Sequence, residues 1–288
     1  MNPKKLERNI IKYNLYKIFT KRVFLPLISI YLIDVGHVSL LQLGILASVA
    51  AITNIVMEVP TGYLADYWGH KKSIVFGSFL TTISVIPYIF YPSFVGGLIA
   101  SIGFFAGYAF TSGTLQAFIH ETLLALKREG EYSKIMGRAQ SYGLMGNVIL
   151  ISLIPLSYQL DNRLPFILGF FCLLASFLIA LSLNNPPERL SLEVEKKNVI
   201  KELGGILKKT SWVRMLIVFL IFGIVSAGFD QSSLFREVAF RSINIPVQYF
   251  GFILALGSLL AAITGAYIHK LDRLSTNVFL LLPGKPRL

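Results

Sequence analysis

From Ser73 to His120 the chain contains no Asp, Glu, Lys or Arg. A bilayer accepts such a run directly. About 20 mostly apolar residues cross a hydrocarbon core roughly 30 Å thick, because a helix rises about 1.5 Å per residue. Inside lipid every backbone amide must be paired within its own segment, so the run is expected to be helical. Other stretches repeat the pattern, and only 15% of the residues are charged while 54% are hydrophobic. A soluble domain would carry about a quarter charged residues. The fold class read from this is an all-α, multi-pass membrane protein.

The spans are expected at about 13–35, 40–62, 73–91, 94–118, 137–158 and 164–184, then 212–231 and 247–269, with 275–283 opening a ninth. The Asn-Asn-Pro-Pro-Glu segment at 184–188 ends the sixth helix, since Pro lacks an amide hydrogen and clashes with the preceding turn. Beyond it, Val199, Ile200, Leu203, Ile206 and Leu207 recur at helical spacing among Lys and Glu. That pattern predicts an amphipathic helix on the membrane surface. Three units follow: a six-helix bundle over 1–184, a linker over 185–210, and an incomplete second bundle over 211–288. The tail from Asn277 meets Pro283 after one short apolar run, which reads as a truncated end.

The charge distribution sets orientation. The net charge is +12, yet no compact basic patch interleaved with aromatics suggests nucleic acid. Instead 22 of the 27 Lys and Arg fall on the side of the N-terminus, against Arg163, Arg236 and Arg241 opposite. The positive-inside rule then places the N-terminus in the cytoplasm, and the plasma membrane is the expected location. The single cysteine, Cys172, excludes an internal disulfide. His37, His70, His120 and His269 have no metal-ligand spacing. Neither a nucleophile elbow nor a phosphate-binding glycine loop occurs. The chain is therefore expected to be no enzyme, with no cofactor and no metal.

The segment GYLADYWGHKK, Gly62 to Lys72, interrupts the apolar pattern between the second and third spans. Gly62 removes a side chain where a neighbouring helix would approach closely. Asp66 is suited to accept from amides at a helix N-terminus. Gly69 permits a tight turn, and Lys71 and Lys72 anchor the third helix at an anionic leaflet. This arrangement of glycines, aspartate and paired bases resembles the loop signature of the major facilitator superfamily. Glu58-Val59-Pro60-Thr61, SGTLQAFIHETL (112–123) and YSKIMGRAQS (132–141) are similar to a bacterial branch of it. GAYIHKLDRL, Gly265 to Leu274, is a degenerate echo at the equivalent loop of the second half.

The resemblance implies a two-bundle secondary transporter of a small solute working by alternating access, with proton-coupled efflux as the expected mode. It implies that the motif latches the bundles together, with Arg138 as an ionic partner for Asp66 by analogy. A non-transporting fragment or a membrane interaction protein is the alternative.

Polar residues inside spans are functional candidates, because lipid penalises them. Asn54 and Glu58 share a helix face. Glu58 either titrates and couples protons, with burial raising its pKa, or is held in a static pair. Tyr108, Ser112 and Gln116 share a face of the fourth span and, with Asn147, are cavity candidates. The branch often carries an acid where Gln116 stands, which argues against a charged site there. Gly103 and Gly107 read as a helix-packing pair. Lys21 and Arg22 lie about 12 Å deep if the first helix starts near Tyr13, and snorkel to the headgroups if it starts near Ile18. Snorkelling is favoured; the deeper placement would imply a Glu58 partner or an anionic substrate. Asp34 and Asp230 read as solvated helix ends.

Overall fold

The computed structural model describes residues 3–186 and 235–260, and their regular structure is helical. In chain order the helices are α1 (Pro3–Phe19), α2 (Ile28–Asp34), α3 (Leu40–Trp68), α4 (His70–Ile83), α5 (Ile86–Phe90) and α6 (Phe94–Thr111). They continue with α7 (Thr114–Ala125), α8 (Tyr132–Leu153) and α9 (Leu164–Ser182). The second half contributes α10 (235–242) and α11 (250–260). Five segments are long and apolar enough to cross a bilayer: Leu40–Glu58, His70–Phe90, Phe94–Ala125, Glu129–Gln159 and Leu164–Ser182. The protein is a multi-pass membrane protein. The expected seventh span, the ninth, the linker helix and Asp230 lie outside the described residues, and the eighth is described only to residue 260.

The first expected span is not one helix. It breaks after Phe19 and resumes, after a 3₁₀ turn at Leu25–Leu27, as α2. Pro26 sits in that turn, where its missing amide hydrogen and fixed φ prevent the α-helical ladder from running through. Both pieces pack against α9 and its C-terminal end. At one end Asn9 Nδ2 donates to the Asn184 carbonyl at 2.8 Å, and the Asn184 amide donates back to Asn9 Oδ1 at 3.0 Å. At the other end the Tyr31 ring packs 4.3 Å from that of Phe166. Below, the N-terminal face is the one marked by Asn9, and the opposite face the one marked by Asp34.

Other helix ends follow local chemistry. Ser39 and Gln42 form a reciprocal capping box at the start of α3, with amide donations of 3.3 and 2.9 Å. Ser93 accepts from the Gly96 amide to cap α6. The expected third span divides near Ser84, ahead of Pro87 at the start of α5. The expected fourth span divides at Gly113, whose φ of 70° lies in the left-handed region. Pro60 lies inside α3 without ending it. Beside it the Thr61 hydroxyl donates to the Met57 carbonyl at 2.7 Å, the kind of side-chain compensation that lets membrane helices tolerate Pro.

Packing is dense where helices cross at glycine. A Cβ on Gly107 would lie 2.6 Å from the Gly77 carbonyl oxygen, and one on Gly77 would meet Gly107 equally closely. Gly103 faces Ser84 across the same α4–α6 contact, where a Cβ would stand 3.2 Å away. Two buried clusters fill the bundle. One joins Phe24, Tyr31, Tyr88 and Phe166 toward the opposite face. The other joins Tyr13, Tyr16, Ile74, Phe118 and Leu123 toward the N-terminal face.

Candidate functional site

Between these clusters lies a cavity of about 900 Å³. Its wall is drawn from the end of α1 and the break that follows, and from α2, α3, α6, the α6–α7 junction and α8. Asn54, Tyr108, Ser112, Gln116 and Asn147 all stand on it, so four separate stretches of chain converge polar groups on one space. Tyr108, Ser112 and Gln116 reach the same volume from either side of the α6–α7 break at Gly113.

The α1–α2 break contributes the charge. Lys17, Lys21 and Arg22 line the cavity, and no Asp or Glu is among its described lining residues. The Arg22 guanidinium carbon lies 4.0 Å from the ring centroid of Phe104 and 5.0 Å from that of Phe105. Asn9 and Asp34 mark the two ends of the first crossing, and Arg22 falls about halfway between them in sequence. It lines the cavity rather than standing at the N-terminal end of that crossing, the setting the deeper placement describes. Its companion is an aromatic pair rather than Glu58, which is exposed on α3 and is not part of the wall. The burial expected of Glu58 is not supplied by the described residues.

The glycine–aspartate–base segment is organised differently from its expected form. α3 runs through it to Trp68, so Gly62 and Asp66 are helical and the chain turns only at Gly69, with φ 89° and ψ 145°. Asp66 thus sits in the last turn of α3 rather than at a helix N-terminus. No described residue lies within 4 Å of a Cβ placed on Gly62. Asp66 Oδ1 is 3.9 Å from His70 Nε2, one turn on, and its side chain is 77% exposed. His70 Nδ1 lies 2.9 Å from Glu121 Oε2 on α7, tying the turn to the bundle. Lys71 is half-buried and Lys72 exposed. Arg138, on α8, is exposed and makes no ion pair with Asp66.

The N-terminal face is held by further polar ties. Arg128 forks onto both oxygens of Glu131 at 2.7 and 2.8 Å and reaches Glu7 at 3.2 Å. Lys12 donates to the Ser182 carbonyl. Burial, with Arg8 and Lys71 nearby, pulls Lys12 below the usual lysine range.

On the opposite face the two halves meet. Arg241 is paired with Asp34, so Asp34 is not simply a solvated helix end. Gly251 abuts the Ile151 carbonyl so closely that a Cβ there would clash with it. Glu237, with a side chain only 1% exposed, takes a 3.2 Å contact from Arg236. The sequence reading missed Glu237, because two arginines nearby made 235–241 resemble a solvated loop.

The sequence profile of the Major Facilitator Superfamily matches residues 16–284. The chain belongs to that superfamily. Within it, the chain is 24% identical over 267 residues to an uncharacterized MFS-type transporter of Methanocaldococcus jannaschii, covering 89% of this chain and 66% of that protein. It is 23% identical over 254 residues to the lactose permease of Citrobacter freundii, covering 83% of this chain and 60% of the permease. The crystal structure of the nucleoside transporter NupG superposes with a TM-score of 0.74 over 95% of this chain and 68% of that one, at 15% identity. This last likeness is one of fold. The chain spans about two thirds or less of the length of the curated superfamily relatives it matches.

Proposed function

We propose that this protein carries a small solute across the plasma membrane by alternating access, with its N-terminus in the cytoplasm and proton-coupled efflux as its mode. The observation that carries the reading is the cavity of about 900 Å³, walled by polar groups from several helices. Contacts between the halves, at Asp34–Arg241 and at Gly251 against Ile151, lie on the opposite face. A closed outer face above a central polar space is one of the two states that alternating access requires. A relative named for lactose is consistent with a small-molecule cargo.

In this reading Asp66 and the turn at Gly69, with His70, Lys71 and Lys72, form the gate on the cytoplasmic face, and Arg138 is its further basic group. Glu58, one turn from Asn54 on α3, is the proton-coupling group. Proteoliposomes holding the chain, given a mixture of isotope-labelled metabolites, should accumulate at least one above protein-free vesicles. An unchanged lumen across the mixture would leave a membrane interaction protein as the better description. Asp66→Ala should impair uptake without loss of insertion; full uptake would end the gating role. Glu58→Gln should remove the response to a proton gradient, and an intact response would remove Glu58 from coupling.

A further inference from the structure

Resting on the transporter reading, we infer that the solute bears an oxyanion, a carboxylate or phosphate, which Arg22 binds in the central cavity. The inference starts from charge. The described wall carries Lys17, Lys21 and Arg22 and no acid. Arg22 makes no ion pair among the described residues, and its guanidinium lies over the faces of Phe104 and Phe105. An aromatic face stabilises a cation from one side only and leaves the donor fork of the guanidinium unspent. That fork matches a carboxylate or phosphate in geometry, which an ammonium does not.

The position of the charge argues the same way. A cation held away from the headgroups is costly and marks a substrate path or a fixed partner. The helix is broken on both sides of Arg22, from Thr20 to the turn at Leu25–Leu27. The break lets the guanidinium line the cavity while it rests on the α6 rings. Beside it Phe104 and Tyr108 present rings stacked at an interplanar angle of 12°, and Tyr108 is exposed to the cavity. Those rings suit a flat apolar body attached to the oxyanion.

The test uses the full chain in lipid nanodiscs and matched probe pairs: nicotinate against nicotinamide, and uridine monophosphate against uridine. Binding is read by calorimetry. The anionic member of at least one pair should bind at least about tenfold more tightly than its neutral twin. The pair that responds tells carboxylate from phosphate. Arg22→Gln should weaken that binding about ten- to hundredfold, the range for losing a hydrogen bond to a charged group.

As a measurement that needs no variant, phenylglyoxal modification of Arg22, mapped by peptide mass, should be slowed by the anionic probe and not by its twin. Equal binding of neutral and anionic members, binding of neither, or unchanged modification of Arg22 would each overturn the inference. Counterflow in proteoliposomes separates it from the reading beneath it. Arg22-dependent binding without exchange would retire transport and keep the site. Exchange of the neutral members alone would retire the oxyanion and keep transport.

Discussion

Arg241 and Asp34 are paired across the face opposite the N-terminus, joining α10 of the second half to the end of α2. Both side chains are partly exposed, at 49% and 32%, so the bridge contributes at most about 1 kcal/mol. Its value lies in what it joins: under the proposed alternating access, it holds this face closed and is lost when the face opens.

Breaking the bridge should therefore favour the open face modestly. Asp34→Asn should raise the rate at which a cavity cysteine is labelled from that face by about fivefold or less, the factor that 1 kcal/mol allows. Asp34→Arg should raise it further by repulsion, and the Asp34→Arg/Arg241→Asp double variant should return it toward the original rate. A double variant labelled as fast as Asp34→Arg would show that the pair does not hold the face.

Gly69 and Gly62 should behave differently although both belong to the same motif. Gly69 has φ 89°, a region L residues seldom adopt, whereas Gly62 is helical with open space around it. Gly69→Ala should cost about 1 kcal/mol or more, while Gly62→Ala should fall within about 0.5 kcal/mol of the parent. Thermal melting in detergent distinguishes them, and a larger loss at Gly62 would contradict the geometry.

The Gly77–Gly107 crossing should tolerate no added volume. With a Cβ only 2.6 Å from the facing carbonyl, Gly107→Val forces α4 and α6 apart, at about 1–3 kcal/mol for overpacking. Gly137→Ala, at a helical position with nothing within 4 Å, is the matched control. Equal melting temperatures for the two variants would mean that the crossing is softer than its spacing implies.

Much of the bundle was legible in the sequence because lipid imposes simple rules. Uncharged runs report spans, and isolated polar residues within them stand out, which is why Asn54, Tyr108, Ser112, Gln116 and Asn147 read as cavity candidates; all five line the cavity. Breaks were harder to read. Thr20-Lys21-Arg22 has the same local composition whether it snorkels or faces a cavity. Only Pro26 hinted at an interruption, and the neighbours that decide the matter, Phe104 and Phe105, lie far along the chain. The motif misled for a related reason: the second span is expected to close at 62, yet the helix continues to Trp68. That continuation places His70 one turn from Asp66, the contact the structure shows, with Arg138 elsewhere. Glu237 was hidden because its burial depends on packing between the halves, a long-range property absent from local pattern.

The central claim is a cavity that opens to one face at a time, and it can be tested without knowing the solute. Cys172 is the only cysteine, so Cys172→Ser with Ser112→Cys leaves a single thiol on the cavity wall. Sealed vesicles of either orientation are then treated with a membrane-impermeant maleimide. The account predicts labelling from the N-terminal face and protection from the opposite face, where Asp34 meets Arg241. Labelling from the opposite face at an equal or faster rate would contradict it.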